Sequence, residues 1–126
     1  RLDERRAPGY ERRVTTIYKI LRRDEWLAAE AAGRFEGSAV DRQDGYIHFS
    51  DAAQAHETAR KHFSGQSDLL VLEIESADLG AALVWEPSRG GAMFPHLYEP
   101  LETKHVRAVH TAPLGADGVP TLGFIS

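Results

Sequence analysis

The chain has 126 residues, with 15 lysines and arginines against 19 acidic residues, six histidines and no cysteine. That length suits one domain with one sizeable core. The net charge of −4 supplies no field for bulk nucleic-acid binding, the lack of cysteine excludes disulfide scaffolds, thiolate metal sites and cysteine nucleophiles, and no apolar run approaches the roughly 20 residues that span a bilayer.

Residues 1–13, RLDERRAPGYERR, are dense in charge and contain Pro8 and Gly9 but no apolar core of a secretory signal. They read as a solvated segment, which leaves 14–126 as a single domain and a cytoplasmic protein as the expectation. Thr15 to Leu21, TTIYKIL, alternates β-branched and aromatic residues, the pattern of a first strand. Asp24 then opens a helix to about Ala32, and Gly33 stands in the usual stop position. RFEGSAVDRQDG reads as turn and loop, closing on Asp44-Gly45 just before a second strand, YIHFS. Asp51 with Gln54 forms a capping box for a helix to about Phe63, whose apolar side includes Ala52, Ala55 and Ala59.

LLVLEIE, residues 69–75, is nearly continuous in apolar character, as a central strand covered on both faces would be. After a short turn or helical piece from Ala77 to Leu83, Trp85-Glu86 leads into the glycine loop PSRGGAM and then FPHLYEPL. Proline lacks the donor a sheet interior needs, so Pro95 and Pro100 are expected to keep that segment at an edge. VRAVHTA and TLGFI are the two closing strands. Helices early, strands later and no βαβ rhythm predict an α+β fold with a largely antiparallel or mixed sheet.

Two blocks carry the candidate chemistry. In YIHFS, alternation sends Ile47 and Phe49 to the core and sets Tyr46, His48 and Ser50 on the other side, where hydroxyls and an imidazole can hold a ribose or amide and move protons near neutral pH. The same row is also the ordinary make-up of a wet sheet face. In WEPSRGGAMFPHLYEPL, His96 and Tyr98 share one side, Glu86 offers a carboxylate, Trp85 a ring for stacking, and Arg89 among glycines a cation for an anionic ligand. Trp85 is equally suited to a core. His48, His96 and Glu86 also make up the donor set of a two-histidine, one-carboxylate metal site, but the spacings of His56 and His62, and of His105 and His110, give no ligand motif, and no metal site is assigned.

TIYKIL, DGYIHFSDAAQ, LLVLEIE, and WE followed by FPHLYEPL together resemble the bacterial domain-of-unknown-function family nine hundred and fifty-two, over about Thr15 to Val109. In that family a glycine usually follows the tyrosine of the last block, and here Glu99 stands there. The family is similar in fold to the ADP-ribosyltransferase superfamily, whose split α+β sheet holds NAD in its cleft. HFS at 48–50 resembles the His-hydrophobic-Ser of the RNA 2′-phosphotransferase branch. The ribose-binding position of the first strand falls near Tyr18 and Lys19. The resemblance implies a transferase-type enzyme that binds NAD or an ADP-ribose-like nucleotide between YIHFS and FPHLY. His48, His96 and Glu86 would be its catalytic groups, Tyr46, Ser50, Trp85, Tyr98 and Lys19 its ligand contacts, and Arg22 or Arg89 its phosphate cation. A non-catalytic module for a small molecule or a partner uses the same pocket without turnover, and a metal-dependent enzyme is a third reading.

Overall fold

A computed structural model describes residues 14–125. The reading of residues 1–13 as a solvated segment lies outside the described residues. Strand β1 (Thr16–Arg22) runs into helix α1 (Arg23–Ala32), which Gly33 ends in the left-handed conformation at φ 83°. A residue with a Cβ resists that backbone shape, and glycine adopts it freely. The cap is Arg22, two residues before the expected Asp24, because the main-chain N–H of Arg22 donates to the Glu25 carboxylate.

The stretch read as loop contains two elements. Strand β2 (Arg34–Phe35) is followed by helix α2 (Ala39–Asp44), capped by Ser38 and ended by Gly45 at φ 92°. The Asp41 carboxylate accepts from the Ser38 N–H at 2.8 Å, half of a reciprocal capping box that a six-residue helix needs because it has almost no internal hydrogen bonds of its own. YIHFS is likewise two strands. Strand β3 (Ile47–His48) and strand β4 (Ser50–Asp51) are separated at Phe49 and belong to different sheets.

Helix α3 (Ala52–Phe63) starts on the expected box, with Asp51 accepting from the Gln54 N–H at 2.9 Å and Gln54 accepting in return at 3.0 Å. Its buried side is Ala55 and Ala59, with Phe63 half-buried, whereas Ala52 is exposed. Strand β5 (Leu69–Glu75) is followed by two one-turn helices and then strand β6 (Leu83–Pro87). Strands β7 (Met93–Leu97), β8 (Leu101–Glu102) and β9 (Val106–Thr111) complete the set.

Every strand pairing among the described residues is antiparallel. The main sheet has the order β4-β1-β5-β9, with β5 central as its composition requires; β3-β7-β6 form a second sheet and β2-β8 a small ribbon. Ile17, Leu21, Leu70, Leu72 and Ile74 project from one face of the main sheet against Trp26, Phe35, Phe49 and the second sheet. Ile20, Leu69 and Val71 project from the other against α3 and the C-terminal segment. Fully burying a leucine or isoleucine contributes about 1.5–3 kcal/mol, so both faces are substantial cores.

Two expectations are corrected. Pro95 lies in the middle strand of the second sheet, not at an edge. Its carbonyl accepts from the Phe49 N–H at 3.0 Å, so its nitrogen faces the same side, where β3 has just ended and a donor is not required. TLGFI forms no strand. Leu122 and Ile125 instead plug the second core from an irregular segment held by the Leu114–Pro120 bridge. No described helix is long and apolar enough to cross a membrane.

Candidate functional site

The second sheet has two unlike sides. Ile47, Trp85 and Leu97 are buried in the main core. On the opposite side the register pairs His48 with His96, and Glu86 stands two residues beyond the partner of His96 on β6. Cross-strand partners in such a ladder lie side by side, so the two imidazoles are neighbours on one wall, with ring centroids 5.4 Å apart and nearly edge to face. The Tyr46 ring stacks on His96 at 4.1 Å and also touches His48 at 4.7 Å and Tyr98 at 5.2 Å. Two separate sequence blocks thus meet in one cluster of four rings.

Each imidazole is tied to a carboxylate through Nδ1. His96 is 2% exposed, and its Nδ1 lies 2.8 Å from Glu86 Oε1, which also accepts from the Tyr98 hydroxyl. Burial pushes the Glu86 carboxyl up, but the Tyr98 and His96 hydrogen bonds outweigh it and hold the group below the usual range. It is therefore ionised and only accepts, so Nδ1 of His96 donates. Burial, only partly opposed by Glu86, lowers the His96 pKa and keeps the ring neutral. Its Nε2 is buried and has no hydrogen-bond partner. The Tyr98 hydroxyl beside that carboxylate is pushed up to about 12.

His48 is held differently. Its Nδ1 lies 2.6 Å from Asp41 Oδ1, its main-chain N–H donates to the same oxygen at 3.1 Å, and its Nε2 lies 3.0 Å from Asp44 Oδ2. Asp41 is 1% exposed and bonds the Lys19 ammonium at 2.8 and 3.0 Å. Burial alone pushes the Asp41 carboxyl up, yet the hydrogen bonds from His48 and Lys19 and the Lys19 charge bring it down to about 2. Lys19 projects into the main core beside the Phe35 ring, where burial pulls its pKa below the ordinary lysine range and Asp41 draws it back. The pair is ionised, because a carboxylate with this many donors around it can only be an acceptor. Gly37 makes room for Asp41: its φ is 112°, and a Cβ there would lie 2.8 Å from the Asp41 Cβ.

Of the residues expected at the site, Tyr46, His48, Glu86, His96 and Tyr98 come together. Ser50 does not, because the chain changes sheets at Phe49; its hydroxyl is buried against Thr58 of α3 at 2.8 Å. Trp85 is in the core on the reverse side of the sheet. Lys19 is engaged by Asp41, and Arg22 is bound to Asp24 at 3.0 Å. Arg89 lies in the glycine turn, and its side chain is outside the described residues. Asp41, Asp44 and Arg42 were missed. The signal for them was present in S-x-x-D between Gly37 and Gly45, a helix start. Arg42 lines a hollow of about 180 Å³ bordered by Tyr46, Tyr98, Glu99 and Pro100, next to the ring cluster. No three His, Asp or Glu side chains among the described residues converge as a metal-binding group.

The fold is similar to solved structures of protein CC0527 from Caulobacter crescentus. The X-ray structure is 58% identical with a TM-score of 0.85 and covers 87% of this chain and 96% of that one. The solution NMR structure is 58% identical with a TM-score of 0.79, covering 86% and 94%. No curated protein matches the chain. A family model described as "Protein of unknown function (DUF952)" matches residues 20–109, and the chain belongs to that family.

Proposed function

We propose that the polar side of the β3-β7-β6 sheet is the active site of a transferase-type enzyme of ADP-ribosyltransferase-like fold, acting on NAD or a related ADP-ribose-bearing nucleotide. The observation that carries this reading is the bare Nε2 of His96. A buried nitrogen without a hydrogen-bond partner is costly, and a ligand hydroxyl bonded there removes that cost. Glu86 fixes the ring so that Nε2 bears the lone pair, the relation by which a carboxylate prepares a histidine as a general base. Tyr46 and Tyr98 offer ring faces to a base or nicotinamide, and Arg42 beside them offers a cation to a phosphate.

In the transfer, the bond between nicotinamide and the ribose anomeric carbon breaks and nicotinamide leaves with the electron pair. An acceptor hydroxyl forms the new bond to that carbon and gives its proton to His96 Nε2. Glu86 keeps negative charge close to the cationic centre as it develops. A second reading, a binding module without turnover, is favoured by one observation: His48 is already bonded to Asp41 and Asp44, Asp41 to Lys19, and Glu86 to His96 and Tyr98, as in a structural polar network.

The test is calorimetric titration with NAD and with ADP-ribose, joined to an assay for nicotinamide release by the wild type and by His96→Gln. Binding with release that His96→Gln abolishes supports the enzyme. Binding without release assigns the module, and failure of both ligands to bind overturns the nucleotide reading.

A further inference from the structure

We infer that Asp41 is a positioning residue: the buried Lys19–Asp41 pair fixes the hydrogen of His48 on Nδ1 and leaves Nε2 as the ring nitrogen that meets a ligand. The role assigned to Nε2 rests on reading this face as the ligand site; the assignment of the proton stands on geometry alone.

One carboxylate oxygen, Asp41 Oδ1, receives both the main-chain N–H of His48 at 3.1 Å and its ring Nδ1 at 2.6 Å. The other oxygen receives the Ser38 N–H at 2.8 Å, and the Lys19 ammonium bridges both oxygens. Apart from the ring, all of these partners are donors by nature, so Asp41 accepts only and Nδ1 must donate. The main-chain carbonyl of Asp41 in turn accepts from the Gly45 and Tyr46 N–H groups at 2.8 and 3.2 Å. One residue thus joins the core strand β1, the turn before β3 and the orientation of the imidazole.

Asp44 competes for the same ring. Its Oδ2 lies 3.0 Å from Nε2, so a doubly protonated ring donates to both carboxylates, and the assignment concerns the neutral imidazole, which has only one hydrogen for the two. Asp41 holds it by the shorter contact in drier surroundings, with side-chain exposure of 1% against 39% for Asp44. The remaining groups against the ring are the His96 ring from β7 at 5.4 Å between centroids and the Tyr46 ring at 4.7 Å, while Glu86 of β6 is engaged by His96 and Tyr98. Asp44, half in solvent, is the partner a ligand can displace.

Nitrogen-15 NMR of the neutral imidazoles tests the assignment without any ligand. The wild type should show Nδ1 of His48 protonated and Nε2 bare. The double variant Lys19→Met/Asp41→Asn removes the buried charges as a pair and lets the amide turn either way, so the hydrogen should move to Nε2 and Asp44. NAD affinity should then fall at least 10-fold in a protein that still folds. A wild-type neutral ring protonated at Nε2, or a folded double variant whose ring stays protonated at Nδ1, overturns the inference. If the double variant does not fold, the wild-type tautomer alone decides. Lack of NAD binding by the wild type would refute the functional reading and leave the tautomer result standing.

Discussion

One face of the main sheet is closed by α3 and the C-terminal segment, and what it buries is nearly all hydrocarbon: Ile20, Ala55, Ala59, Val71, Leu122 and Ile125, with the Ser50–Thr58 hydroxyl pair at its margin. The other face carries the larger set of buried apolar residues but also Lys19 and Asp41, and the sheet that covers it has buried His96 on its outer side. Hydrocarbon against hydrocarbon holds elements together without fixing the direction of any one group. Buried charge repays its desolvation only when each partner is in place, and so fixes direction at an energetic cost. Both faces contribute the apolar burial that folds the domain, and the second also sets where His48 points.

The strongest way to break this contrast is Asp41→Ala. It leaves Lys19 buried without a counterion, and the loss in urea denaturation should be about 3–5 kcal/mol. A loss below about 1 kcal/mol would mean that Lys19 escapes to water and the charged face is not built as described. On the plain face, Leu122→Ala should cost about 2–5 kcal/mol, because its side chain is 1% exposed although it belongs to no strand or helix. An unchanged melting curve would show that the C-terminal segment is not part of that core.

Acid should act on the two faces unequally. The Asp41 pKa is depressed from 3.8 to about 2, so its contribution of about 2 kcal/mol is present above pH 3.8 and lost as pH falls through 2. The His96 pKa is depressed below 6.5, so its contribution is complete above 6.5 and declines as pH falls from there toward the folded value. Both shifts make the protein less stable in acid. Unfolding free energies at pH 7.5, 5 and 2.5 should fall in that order, and less steeply in Lys19→Met/Asp41→Asn at the lowest pH. The smallest effect sharpens the contrast: Ser50→Ala should cost about 1 kcal/mol through its bond to Thr58 and leave NAD titration unchanged. A loss of binding would return Ser50 to the site.

The elements that local chemistry specifies were legible from the residues. The Asp51–Gln54 box, the glycine that ends α1 and the apolar run of β5 each carry their own signal over a few adjacent positions. That the YIHFS and FPHLY blocks meet was legible too, since imidazole and phenol recur at alternate places in both, but they were expected to face each other across a ligand and are instead neighbouring strands of one sheet. What escaped depends on partners distant in the chain. The break at Phe49 follows from Tyr18 pairing with Ser50 while His96 pairs with His48, and no local residue announces it. Pro95 is tolerated mid-sheet only because that break removes the need for its missing donor. Lys19 was expected to contact a ligand, and its burial is sensible only once Asp41, 22 residues on, is known to meet it. Helix α2 was the one avoidable omission, since Ser38 and Asp41 spell its cap.

Gly37 gives the loop before α2 an unequal tolerance to change. It has a backbone shape that side chains resist, and its missing Cβ is the space against which Asp41 rests. Glu36, Ala39, Val40 and Gln43 around it are exposed. If positions 36–43 were randomised and the variants sorted for folded protein, position 37 should return glycine almost alone while those four accept most residues. The segment would then vary at its exposed places yet hold glycine at 37, a letter set by the Asp41 side chain four residues further along the chain.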